Sequence, residues 1–90
     1  MTLHYKIRVS GRVQGVWFRK YTKDTAESLG LMGFVENAED GSVYLEAEGS
    51  ERDLKRLLEW LNQGSPLSRV EEISYQEGRL SGYNHFEIRR

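Results

Sequence analysis

Ninety residues with 13 basic and 14 acidic side chains lead to the expectation of a single small domain spanning residues 1–90. The chain has no cysteine, which excludes disulfides, thiolate metal sites and cysteine nucleophiles. Its net charge of -1 comes from interspersed charges, with neither a basic nucleic-acid footprint nor an acidic tail. No apolar run reaches signal-peptide length or the roughly 20 residues of a membrane span, so the expectation is a soluble, cytoplasmic monomer with no nucleic-acid or membrane partner.

In chain order, Tyr5, Ile7 and Val9 alternate with His4, Lys6, Arg8 and Ser10, the period of a half-buried strand. Gly11 to Val16 carries two glycines and reads as a loop. Phe18, Tyr21, Thr22, Thr25, Ala26 and Leu29 then recur at helical spacing, opposite Lys20, Lys23, Asp24 and Glu27. Gly30 suits the left-handed residue that stops such a helix. Residues 31–37 and 43–48 read as the second and third strands, with Asp40-Gly41 between them as the signal of a tight hairpin turn. Ser50 and Asp53 form a capping pair for a second helix whose buried stripe is Leu54, Leu57, Leu58 and Leu61, ended by Gly64 and Pro66. Glu71, Ile73 and Tyr75 mark a fourth strand, with Val70 out of phase so that a bulge or a later start is expected; Phe86 and Ile88 mark a short fifth. The order βαββαβ, with one apolar stripe per helix, predicts an α+β ferredoxin-like sandwich: two helices packed on one face of an antiparallel sheet. Fold alone assigns no function.

The segment Gly11 to Arg19 joins a strand end to a helix start. Backbone N–H groups there have no intrahelical partner, the helix dipole adds partial positive charge, and glycines let a ligand approach. Together these features can cradle an anion. Arg19, in the first turn, is unfavourable against the dipole unless an anion joins it, and its planar fork suits phosphate. By itself the pattern leaves an ordinary strand–loop–helix junction with a solvated arginine open. No Lys-Ser/Thr pair follows the glycines, so it is not a Walker loop.

The longer string Gly11-Arg12-Val13-Gln14-Gly15-Val16-x-Phe18-Arg19 is followed by Gly30-Leu31-x-Gly33-x-Val35-x-Asn37-x-x-Asp40-Gly41-Ser42-Val43. With Trp60-Leu61, Gly64-Ser65-Pro66 and Phe86-x-Ile88-Arg89, it resembles the acylphosphatase family over nearly the whole chain. The resemblance implies a metal-free and cofactor-free hydrolase of acyl phosphates. It implies that Arg19 and the backbone amides of Gln14, Gly15, Val16, Trp17, Phe18 and Arg19 bind the substrate phosphate, and that Asn37 places the attacking water. Inorganic phosphate or sulfate would then compete with substrate. Three positions depart from the commonest family pattern: Phe34 stands where tryptophan is frequent, Trp17 where a small residue is often found, and Ala38 where some members carry threonine.

The residue types suit that reaction. An acyl phosphate expels a carboxylate whose conjugate acid has a pKa of about 4, like an aspartic side chain, so no general acid is needed. Amides and one arginine stabilise the phosphoryl charge, and a side-chain amide can hold a water in line.

Blander readings stand beside these. Asn37 can simply serve the hairpin as a turn former. His4 and His85 lack a third ligand at a recognisable spacing and read as surface histidines. Glu46 and Glu48 read as a solvated strand face, and Trp17, Trp60 and the tyrosines as packing. The rival functions are a non-catalytic ferredoxin-like ligand-binding or RNA-binding module, for which Tyr44 is a possible stacking aromatic, and an acyl-phosphate-binding domain detached from a larger carbamoyl-transfer protein. The net charge argues against RNA. The start at Met1 and the family's closing strand favour a complete enzyme.

Overall fold

Side-chain alternation builds the sheet and two apolar stripes cover it. The computed structural model describes residues 1–90, with β1 (Thr2–Arg12), α1 (Phe18–Ser28), β2 (Met32–Asn37), β3 (Val43–Ser50), α2 (Glu51–Gln63), β4 (Arg69–Gly78) and β5 (Phe86–Arg89). The strands form one sheet in the order β4-β1-β3-β2-β5. Ile7 and Val9 of β1, Val35 of β2, and Val43, Leu45 and Ala47 of β3 are fully covered by the helices. Phe18, Thr22 and Ala26 form the buried face of α1, and Leu54, Leu57, Leu58 and Leu61 that of α2. Burying a leucine-sized side chain contributes about 1.5–3 kcal/mol, so α2's stripe is a main anchor. No helix is long and apolar enough to cross a membrane.

The expected βαββαβ order holds, with two corrections to the sheet. It is mixed, because β5 runs parallel to β2 while the other pairings are antiparallel. It also begins with a longer strand, since Gly11 and Arg12 continue β1 and only residues 13–17 form the loop. Ser10 pairs with Glu72 and Gly11 with Val70, so Glu71 is the extra residue of a bulge in β4, which explains the phase break at Val70. Gly11 has φ +124°, and a Cβ there would lie 2.2 Å from the Arg69 carbonyl oxygen. Its role is the close approach of β4.

Residues 38–42 form a wider connection than the tight turn expected at Asp40-Gly41. The Ala38 N–H donates to the Ser42 carbonyl (2.8 Å), and Gly41 is the one residue there with positive φ. The Asp40 carboxylate accepts from the Ser42 N–H at 2.9 Å and from its hydroxyl. These two bonds, the hydroxyl one being the stronger influence, hold the Asp40 carboxyl below its usual range.

The sheet face opposite the helices is not simply solvated. Residues 79–84 cross it to bring β5 beside β2. His4 is buried, its Nδ1 2.7 Å from Glu48 and its Nε2 2.8 Å from Glu46. Glu48 is buried too and accepts the backbone N–H groups of Ser81, Gly82 and Tyr83. Tyr44 and Tyr83 donate their hydroxyls to Glu46. Burial alone would raise the Glu48 carboxyl; the bonds from His4 and the three amides outweigh it and hold it below its usual range. Glu46 is lowered in the same way, burial being outweighed by Tyr44, Tyr83 and His4. The expected surface histidine at position 4 and the solvated glutamates are therefore corrected, whereas His85 is exposed and pairs with Glu87.

Candidate active site

Residues 13–17 leave β1 and enter α1 with two residues in positive φ: Gly15 (φ 73°) and Trp17 (φ 62°, ψ 17°). Trp17 is the chain's one non-glycine residue with positive φ. As N-cap of α1 it offers no side-chain acceptor, and the first turn holds no acidic residue. The six consecutive N–H groups from Gln14 to Arg19 find no acceptor in the chain. A helix N-terminus leaves its first N–H groups free, and here the run extends back through the loop with no side-chain cap, which makes the segment receptive to an anion.

A cavity of about 390 Å³ opens over this loop. Gly15, Trp17, Phe18 and Arg19 line one side; Asn37 and Ile88 belong to the neighbouring strand ends. Three residues with cationic side chains, Arg19, Lys20 and Arg90, line it and no Asp or Glu side chain does. Arg19 is half-buried and donates from Nη1 to the Arg89 carbonyl at 3.1 Å, which fixes its guanidinium against the end of β5. Asn37 ends β2 with an exposed side chain. It lines the cavity with Phe18 and Ile88, on the helix side of the sheet where strict alternation with Gly33 and Val35 puts it.

Two side chains tie the loop to the rest of the fold. Gln14 Nε2 donates to the carbonyls of Ala38 and Ser42, 2.8 Å each, clamping the loop to the hairpin that carries Asn37. The Ser65 hydroxyl donates to the Val16 carbonyl at 3.0 Å, from the turn after α2.

Of the residues singled out in the sequence, Gly15, Trp17, Phe18, Arg19 and Asn37 meet around one cavity. Gln14 and Val16 belong to the loop by their backbone, but their side chains turn away: Gln14 to the hairpin, Val16 into the core. Lys20, Ile88 and Arg90 were not foreseen. Lys20 comes with the first turn of α1, beside Arg19; Ile88 and Arg90 come with the parallel pairing of β5 with β2, which no local periodicity signals. Trp17 is corrected as well: its side chain is 69% exposed rather than packed. Trp60 does pack, against Phe18 at 5.7 Å between ring centroids.

A model of the acylphosphatase family matches residues 5–88. A Thermotoga maritima acylphosphatase is 46% identical over 84 residues, covering 93% of each chain. The crystal structure of an acylphosphatase from Bacillus subtilis superposes with a TM-score of 0.95 at 44% identity, over 98% of this chain and 99% of that one. A Coxiella burnetii acylphosphatase structure gives the same TM-score at 36% identity, over 98% and 93%. With a family match over nearly its full length and a shared ferredoxin-like fold, this chain belongs to the acylphosphatase family.

Proposed function

We propose that the chain hydrolyses the carboxyl-phosphate bond of small acyl phosphates, without metal or cofactor. The observation that carries this reading is the run of six unpaired backbone N–H groups beside a guanidinium held in place by Arg89. The phosphoryl oxygens sit on the amides of Gln14 to Arg19, and Arg19 takes two of them through its fork. Asn37 holds a water in line with the phosphorus. The water oxygen attacks phosphorus as the bridging P–O bond breaks, and that electron pair leaves with the carboxylate. The water's proton passes to a phosphate oxygen. The products are a carboxylate and inorganic phosphate. Charge stabilisation by preorganised donors supplies most of the acceleration in such a site.

Release of phosphate from acetyl phosphate in the presence of a chelator tests the reading. Activity is expected to persist, with inorganic phosphate as a competitive inhibitor and phosphate monoesters far slower. Activity that vanishes with chelator and returns with a divalent metal contradicts it. The protein is read as a cytoplasmic monomer, supported by the interspersed charge and lack of cysteine; light scattering checks the oligomeric state.

A further inference from the structure

Under the hydrolase reading above, the phosphate and the water are held by different parts of the chain, and the reaction depends on the span between them. The phosphate loop has its own anchors: Val13, Val16 and Phe18 are buried in the core, and the Ser65 hydroxyl bonds the Val16 carbonyl. Asn37 stands elsewhere, in the last ladder pair of β2 with β3, opposite Val43. Its side chain is exposed, and Ala38 after it has no hydroxyl to orient the amide. The aim of that amide therefore follows the backbone at residues 37 and 38.

One side chain joins the two parts. Gln14 leaves its backbone N–H in the phosphate loop and sends its side chain to the connection after Asn37. Each carbonyl it reaches already accepts a backbone N–H: that of Ser42 from Ala38 at 2.8 Å, that of Ala38 from Gly41 at 3.2 Å. Gln14 Nε2 supplies a second donor to both, using its two hydrogens. The connection thus closes without Gln14, and what the glutamine adds is the placement of that connection against the phosphate loop. The other side-chain tie comes from Arg8, whose Nη1 donates to the Ser42 hydroxyl at 2.8 Å. Arg8 lies on the polar face of β1 and does not line the cavity over the loop.

We propose that Gln14 is the positioning residue for Asn37: its side-chain amide sets the span between the backbone donors that hold the phosphate and the side chain that holds the water. This role rests on the acyl-phosphate reading above and deepens it by naming what links its two halves. Attack geometry is unforgiving, a displacement of about 1 Å costing about 10²-fold in rate. Without the clamp the phosphate loop keeps its core anchors and its free N–H groups, so phosphate still binds. Asn37 then drifts from the line of attack. The Gln14 side chain touches no reacting atom and acts only through Asn37.

The test is a double-mutant cycle on acetyl phosphate hydrolysis. Gln14→Met keeps the length of the side chain and removes both donors; Gln14→Glu keeps its shape and turns donors into acceptors. Each should lower kcat by about 10- to 100-fold, with the inhibition constant for inorganic phosphate within about twofold of the parent's. Both carbonyls keep a backbone donor, so the variants are expected to fold, and urea unfolding checks this. Gln14→Met added to Asn37→Ala should change kcat by less than about twofold, because the side chain to be positioned is already gone. A further loss of about tenfold in the double variant overturns the positioning role. So does a normal kcat in both single variants, or a phosphate inhibition constant that rises in step with the fall in kcat. Unfolding of both single variants overturns it too, since the clamp then holds the fold and not the water. Each of these results leaves the hydrolase reading intact, whereas a parent that releases no phosphate from acetyl phosphate overturns both.

Discussion

Two runs of consecutive backbone N–H groups in this protein meet different fates. At residues 81–83 three amides converge on a carboxylate of the chain itself, Glu48, which is buried with His4 beneath them. At residues 14–19 six amides find no acceptor from the chain, beside a cavity lined by Arg19, Lys20 and Arg90. The second helix sharpens the contrast. Its N-terminus is served by the Ser50 hydroxyl, which accepts from the Asp53 N–H at 3.2 Å, and by Glu51 and Asp53 in its first turn. The first helix has none of these. Where amides are satisfied internally the result is stability; where they are left to solvent, the fold keeps binding energy in reserve for an anion from outside.

Substitutions on each side of this contrast should separate activity from stability. The largest effect is expected at Arg19. Its charge acts on the bound phosphate and on the transition state, so Arg19→Ala should lower kcat/KM by roughly 10³-fold or more and weaken inhibition by phosphate. Arg19→Lys restores charge without the fork and should recover little. Steady-state kinetics with a phosphate inhibition series measures both, and a variant that binds phosphate as well as the parent displaces the proposed cradle.

Asn37→Ala comes next. It should lower kcat by about 10²–10³-fold, the range for one preorganised polar contact, with phosphate inhibition nearly intact. Near-normal kcat returns Asn37 to a plain turn-forming role.

On the satisfied side, Glu48→Gln should cost about 2–4 kcal/mol of unfolding free energy, because it leaves His4 and three amides facing a neutral group. The pH dependence has a definite sign. The folded-state carboxyls of Glu46 and Glu48 lie below their usual range, so their contribution is present above the unfolded value near 4.3. It is lost as pH falls through the lower folded value. Urea midpoints taken between pH 7 and pH 3 should therefore drop on the acid side in the parent and drop less in Glu48→Gln. Equal acid slopes in the two proteins remove Glu48 from the account. The smallest effect is expected for Ser50→Ala: about 1 kcal/mol less stability from the lost cap, with turnover unchanged.

Local chemistry was legible in the sequence and long-range placement was not. The alternation of β1, the leucine stripe of α2 and the Ser50–Asp53 cap each depend on neighbours a few residues away. Arg19 and Asn37 were found by their resemblance to a known pattern; spacing alone left a solvated arginine and a turn asparagine as alternatives. His4 and Glu48 were misread because strand periodicity reports only that two faces differ. What covers the polar face is a segment more than 30 residues further along the chain. The direction of β5, and with it Ile88 and Arg90 at the cavity, depends on the same crossing. The left-handed backbone at Trp17 escapes sequence reading for a simpler reason: nothing about tryptophan favours that conformation.

The Gln14 clamp has a consequence for how this surface can vary. Its Nε2 grips two main-chain carbonyls, at Ala38 and Ser42, and no side chain. The hairpin is thus recognised by its shape and not by its letters. Residue 38 can vary in identity as long as the path of the backbone is kept, a path that the Asp40 carboxylate and the positive φ of Gly41 help to set. The constraint falls instead on one glutamine: asparagine is a methylene too short to reach, and glutamate offers no hydrogen to donate.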